Sequence, residues 1–294
     1  MDQAEQLRNI IKANSRAQKP EARVLTVTSG KGGVGKSNTS INLAIQFRKM
    51  GQKVIILDAD FGLANIEIMF GAVPKYNLSD LIYEGKGIKE IITKGPMGVG
   101  FISGGSGIAG LSNLTQDNIH CIVQSLAELD SLADVVIIDT GAGISDAVME
   151  FLVASGEILL VTTPEPTSIT DSYSLLKALS MHPKYAREET KIKMIANKVQ
   201  KSGDGGELYK KLNVVVEKFL KTPMEYLGEV PEDAHLVRAV MQQKPVSMED
   251  PYTKSAMAYK QIAMRLANKE VTEKVKRRGM ASFFSQIFSV KKAE

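Results

Sequence analysis

Nine residues near the amino end, Ser29-Gly30-Lys31-Gly32-Gly33-Val34-Gly35-Lys36-Ser37, constrain the fold more than any other stretch. From Gly30 to Ser37 they match the spacing G-x-x-x-x-G-K-[ST], in which a backbone loop wraps phosphate oxygens. The motif requires a strand before it and a helix after it. Val24 to Thr28 is a β-branched run, and Asn38 to Met50 carries Ile41, Leu43, Ala44, Ile45 and Phe47 as a buried helix would. Gly30, Gly32, Gly33 and Gly35, with Val34 among them, let N–H groups converge on an anion, and the helix entered at Ser37 and Asn38 adds its positive dipole end. In that frame Lys36 reaches the β- and γ-phosphates and the Ser37 hydroxyl ligates Mg²⁺.

A second apolar run, Val135 to Ile138, ends in Asp139 and continues Thr140-Gly141-Ala142-Gly143. A buried strand of this kind delivers its terminal carboxylate to the Mg²⁺ water shell, opposite Ser37. Further strand and helix patterns alternate: Val54 to Leu57, a strand near Val99 to Ile102, a helix from Gln116 to Ala133, Glu157 to Thr162, a helix from Ser168 to Met181, Ile192 to Ala196, and a strand through Leu227. Repeated βα units predict an α/β fold, a doubly wound and mostly parallel sheet with the ligand at the strands' carboxyl ends. The glycine-rich run Ser103 to Gly110 lacks the closing G-K-[ST] and reads as a loop.

With 294 residues, the chain fits one large domain. No apolar run approaches the ~18 residues of a membrane span, and no signal-peptide pattern opens it, which points to the cytoplasm. Cys121 is the only cysteine, so neither a disulfide nor a cysteine metal site forms within one chain. The formal net charge of +4 is accounted for by the residues from Lys269 onward, seven basic and three acidic. A neutral body argues against a DNA-coating surface, and no specific nucleic acid is expected.

The loop K-G-G-V-G-K-S resembles the deviant Walker A loop of the MinD/ParA ATPases, so a P-loop NTPase of that type is expected from about residue 21 to 268. The resemblance implies a homodimer formed with ATP, in which Lys31 reaches the phosphates bound by the partner. It also gives Asp58 a place in the magnesium and water shell and makes Asp60 the residue that orients attacking water. Gly62 to Asn65 and Thr140 to Ser145 correspond to its two switches, although Ala64 stands where MinD commonly has arginine. Asn197 resembles the family's adenine-recognising asparagine, and Pro231, Glu232 and Asp233 its second adenine-side segment. An asparagine amide pairs with both the donor and the acceptor on adenine, and Gln200 stands where a guanine signature has aspartate, so ATP with Mg²⁺ is expected.

Both ends add something to that core. Residues 1–20 hold Ala4, Leu7, Ile10 and Ile11 at helical spacing, then a linker around Pro20. Their opening D-Q-A-x-x-L-R is similar to the FlhG family, MinD-like ATPases that control flagellar number and placement, also known as FleN or YlxH. That likeness implies contact of residues 1–20 with the signal-recognition-type GTPase FlhF, and flagellar C-ring proteins as further partners. A cell-division MinD or a ParA-type partition ATPase is the alternative. Residues 269–294 carry Met280, Phe283, Phe284, Ile287 and Phe288 on one helical face, bracketed by basic residues between 274 and 292. Such a helix either lies on an anionic membrane or closes the core. The family's C-terminal membrane-targeting sequence favours the membrane, and a peripheral place on its inner face. In a monomer the helix could fold back, hiding Phe283 and Phe288 in a groove.

Overall fold

The computed structural model describes residues 21–60, 65–105, 123–272 and 279–289. At its centre is β1 (Arg23–Ser29), in which every residue is buried. Its side chains leave no face for water, as befits a strand covered on both sides. β2 (Val54–Ala59) and β6 (Glu157–Thr162) are equally buried, and β5 (Val135–Ala142) is so until its last two residues. With β4 (Gly100–Ile102), β7 (Lys191–Val199) and β8 (Met224–Pro231) they form a parallel sheet, to which β3 (Thr93–Lys94) adds an antiparallel edge. The order is β3-β4-β2-β5-β1-β6-β7-β8. The path runs outward from β1 to β2 on one side and to β6 on the other, so a crevice opens outside the carboxyl end of β1.

In chain order the helices are α1 (Lys36–Lys49), α2 (Asn65–Phe70), α3 (Leu78–Tyr83), α4 (Ile88–Ile91), α5 (Leu129–Leu132), α6 (Asp146–Ala154), α7 (Pro166–Met181), α8 (Asp204–Leu220), α9 (Ala234–Met241), α10 (Val246–Glu249), α11 (Lys254–Thr272) and α12 (Met280–Ser289). Alternation along β1 decides which helices meet which residues. Leu25 and Val27 join Ile41 and Phe47 of α1 and Tyr259 and Ile262 of α11 on one face. Val24 joins Phe151 of α6 and Phe283 of α12 on the other. A third cluster packs α6, α7 and α8 over β6 and β7.

The expected helix from Gln116 to Ala133 lies partly outside the described residues; its remainder is helical at 123–127 and again in α5, with a turn at Glu128 between them. The expected boundary between core and tail at residue 269 falls inside α11, which runs on to Thr272. At the amino ends of β1, β6 and β7, opposite the crevice, Glu157 accepts from Arg23 at 2.7 and 2.8 Å and from Lys193 at 2.7 Å, all three buried. Burial pushes the Glu157 carboxyl up, but the two cations outweigh it and hold the pKa at about 2.

Candidate functional site

The phosphate loop occupies the turn between β1 and α1. Gly33 and Gly35 adopt φ of 74° and 98°, left-handed values that a side chain resists. Gly35 has a second reason to be glycine, because a Cβ there would stand 2.2 Å from Asn197 Nδ2. Gly30 is glycine for space alone: its Cβ would meet the Asp171 backbone of α7 at 2.2 Å. Gly35 precedes α1 as its N-cap, so the first N–H groups of that helix face the loop. Lys36 and Ser37 open α1, with Asn38 in its first turn. Two residues from the end of β7 brace the loop from outside: Asn197 Nδ2 donates to Val34 O at 2.7 Å and Lys198 Nζ donates to Gly33 O at 2.8 Å. The Asn197 Oδ1 atom is buried and has no partner.

Parallel pairing of β2 with β5 sets Asp58 directly beside Asp139. Asp139 accepts from Ser40 Oγ at 2.8 Å through Oδ1, and its Oδ2 is buried without a partner. Burial pushes its pKa up to about 6 against the opposing hydrogen bonds of Ser37 and Ser40. Asp58 is pushed up to about 8, by burial first and by Asp139 second. Its two oxygens accept from Asp60 N and Ile66 N, each at 3.2 Å, so one carboxylate holds both ends of the first switch. Asp60 Oδ2 accepts from Asn65 Nδ2 at 3.3 Å, and its Oδ1 lies beside Gly141 of the second switch. Phe61 to Ala64, within the first switch, lie outside the described residues. Lys36 is lowered by burial, against the pull of Asp139 and Asp60.

This carboxylate pair fits a divalent cation. Burial disfavours the charged form of both acids, and at Asp58 the neighbouring Asp139 adds to it; a cation beside them would offset that cost. Among the described residues no group of three or more His, Cys, Asp or Glu is placed to hold a metal alone. Mg²⁺ needs no such cage, since it keeps waters and takes one or two carboxylates together with nucleotide phosphates.

Lys31 points along its own chain. Its Nζ donates to Glu165 Oε2 and Thr167 Oγ1, both at 2.8 Å, and stays about a third exposed. Glu165 and Thr167, which hold it, carry no local sequence signal of that contact. Ser40 was missed as well, although it follows Ser37 by one helical turn and so shares its face. Pro231 ends β8 at the same sheet edge, and Glu232 follows it, its N–H donating to Val199 O at 2.9 Å. The Asp233 carboxylate is engaged by Ser255 N and Oγ and by His235, which ties the start of α9 to α11.

The tail helix α12 is docked on the core. Met280, Phe283, Phe284 and Ile287 are all at most 4 % exposed, and Phe283 lies 6.0 Å from Phe151 between ring centroids. Asp130 of α5 anchors its start: Oδ1 accepts from Met280 N at 2.8 Å and from Ala22 N at 3.2 Å. Gly279 fits only without a side chain, since its Cβ would be 2.6 Å from Asp130 Oδ2. The expectations for residues 1–20, for the Phe288 side chain and for the basic residues 274, 276–278, 291 and 292 fall outside the described residues. No helix among the described residues is long and apolar enough to cross a membrane.

Residues 21–267 match the ParA family, described as NUBPL iron-transfer P-loop NTPase. With Cys121 as the single cysteine, this chain lacks the several thiolates that hold an iron–sulfur cluster. The antiactivator FleN of Pseudomonas aeruginosa is 36% identical over 244 residues, covering 83% of this chain and 86% of FleN. The flagellum site-determining protein YlxH of Helicobacter pylori is 34% identical over 278 residues, covering 92% and 90%. MinD of Pyrococcus horikoshii, solved in complex with Mg-ADP, has the same fold: TM-score 0.66, 21% identity, 86% of this chain and 100% of MinD. The chain thus belongs to the ParA/MinD family of P-loop ATPases and, within it, to the flagellum-regulating FlhG type represented by FleN and YlxH.

Proposed function

We propose that the chain is an ATP-driven dimerising switch that attaches to the membrane and regulates flagellum placement and number. The observation that carries this reading is the position of Lys31, which stands beside a complete phosphate loop yet is held by Glu165 and Thr167, partly exposed. A lysine so placed is available to a second subunit. In the dimer it leaves Glu165 for the phosphates bound by the partner, so nucleotide state and assembly become one event.

The chain's own groups divide the chemistry. Backbone N–H groups from Gly30 to Ser37 and Lys36 hold the phosphates. Asn197 keeps its Nδ2 on Val34 O and offers the unpartnered Oδ1 to the adenine amino group, while Pro231, Glu232 and Asp233 border the base. Ser37, Asp58 and Asp139 form the cation side of the site. Mg²⁺ held there would neutralise phosphate charge. Asp60, between the two switches, orients the attacking water. ADP then lacks the γ-phosphate that held the switches, and the dimer parts.

Two ends carry the output. The docked α12 covers the Met280, Phe283, Phe284 and Ile287 face that would enter a bilayer, so membrane attachment requires its release. Two released tails on one dimer make the second insertion intramolecular, raising retention by roughly 10²-fold. Residues 1–20 act on the GTPase FlhF, and C-ring proteins bind the body; the relatedness to FleN and YlxH supports this assignment. Phosphate release and vesicle flotation with ATP test the catalytic part together with the output. Asp60→Ala should abolish release while increasing flotation with anionic vesicles, and equal phosphate release by the two proteins would remove Asp60 from the mechanism.

A further inference from the structure

Asp139 owes its position to β5 and its orientation to a residue outside the phosphate motif. Along β5, Val135 and Ile137 pack in the cluster that contains α1, and Asp139, two residues further on, points to the same face. There Ser40 Oγ donates to Asp139 Oδ1 at 2.8 Å, and both residues are fully buried. Short polar side chains inside a helix ordinarily turn back to a carbonyl one turn earlier. The neighbours of Ser40 on α1 do so: Thr39 Oγ1 donates to Gly35 O at 2.9 Å and Asn42 Nδ2 to Asn38 O at 2.8 Å. Ser40 instead sends its single hydroxyl hydrogen across to the strand.

What matters next is which carboxylate oxygens remain. Asp58, paired in register with Asp139, has one oxygen on Asp60 N and the other on Ile66 N. Asp139 Oδ1 is taken by Ser40, which leaves Asp139 Oδ2 as the oxygen of this pair that is buried and has no partner among the described residues. A buried acceptor left open is costly unless a ligand takes it. Because α1 is packed against the sheet, a bond from Ser40 to one oxygen also fixes the plane of the carboxylate, and with it the direction of the other oxygen. Ser37 stands one turn earlier on the same face of α1.

We infer that Ser40 is a positioning residue for the cation: it holds Asp139 by Oδ1 and leaves Oδ2 as the oxygen presented to Mg²⁺ or to its waters. The inference rests on the reading of Ser37 and Asp139 as part of the cation side of the nucleotide site, and it adds a residue that the motif spacing does not include. Its signature is selective. Losing a side chain that orients the groups around a metal typically costs about 10- to 100-fold in metal affinity. The phosphate loop and Lys36 are untouched, so nucleotide binding without metal is retained.

Mn²⁺, which can be followed by its paramagnetic resonance, serves as the probe. Full-length protein with excess ADP is titrated with Mn²⁺, and ADP affinity in EDTA is measured separately by calorimetry. Ser40→Ala should raise the half-saturating Mn²⁺ concentration about 10-fold or more, with metal-free ADP affinity held within about 2-fold. Ser40→Thr and Ser40→Val crowd the buried position alike and differ only in the hydroxyl, so Ser40→Thr should bind Mn²⁺ about 10-fold more tightly than Ser40→Val. Equal Mn²⁺ affinity in Ser40→Ala and the unaltered protein would overturn the inference. A parallel fall in metal-free ADP affinity would overturn it as well, by making Ser40 a support of the loop. Asp139→Asn distinguishes the two readings: Mn²⁺ affinity unchanged in that variant would remove Asp139 from the cation side and the role of Ser40 with it.

Discussion

Removing the Asp130 carboxylate should free the tail without touching the apolar face proposed to meet lipid. Asp130 Oδ1 accepts from both Met280 N and Ala22 N, but only the first bond distinguishes docked from released α12. A helix start that loses such an acceptor costs about 1 kcal/mol, within a range of about 0.5–2. In Asp130→Ala the released population should therefore rise about 5-fold, and by no more than about 30-fold. Because Phe283, Phe284 and Ile287 are unchanged, flotation of the nucleotide-free protein with anionic vesicles should rise by the same factor while the release remains a minor state. Asp130→Asn keeps an oxygen acceptor and should stay within about 2-fold of the unaltered protein. The urea midpoint checks that the rest of the core is intact. Equal flotation of Asp130→Ala and the unaltered protein, with the midpoint preserved, would refute the argument that this contact retains the tail.

Two other substitutions probe the site and its foundation. Asn197→Ala removes both the brace on Val34 and the buried unpartnered oxygen; a lost buried hydrogen bond of about 1–3 kcal/mol predicts roughly 5- to 150-fold weaker ADP binding and loss of preference over GDP, measured by calorimetry. Glu157, with a folded pKa of about 2, stabilises the native state above its unfolded value near 4.5, and that contribution, on the order of 3 kcal/mol, should disappear as pH falls toward 2. Urea unfolding at pH 5 and pH 3 should show the decline, and Glu157→Gln should be destabilised already at pH 5 because Arg23 and Lys193 then lack their counter-charge.

The parts of this molecule that could be read from sequence are those whose chemistry is written in neighbouring residues. A phosphate loop is one turn of backbone, so Gly30 to Ser37 announces itself, and a buried apolar run ending in Asp139 marks where that carboxylate goes, although β5 continues to Ala142. The sheet followed from the repeated βα rhythm. Contacts between distant segments were not legible. Nothing local to Lys31 names Glu165, and nothing near Met280 names Asp130. The tail shows a different limit. Met280, Phe283, Phe284 and Ile287 make an apolar face whose periodicity is the same for a bilayer and for a groove against Phe151, so spacing alone could not choose between them. Asp233 was placed beside the nucleotide by resemblance, while its carboxylate is also the cap of α9 and the tie to Ser255, a role only the folded chain reveals.

The central claim, that ATP and dimerisation are one event joined by Lys31, is tested most directly by mass in solution. Asp60→Ala should block turnover and hold the bound state. With Mg²⁺ and ATP, size-exclusion chromatography with light scattering should give twice the 32.0 kDa chain mass, and with ADP the chain mass alone. Lys31→Ala on the same background should remain at the chain mass with ATP bound, because its contacts to Glu165 and Thr167 are dispensable to the monomer but its reach across the interface is not. A monomer with ATP, or a dimer indifferent to Lys31→Ala, would contradict the account.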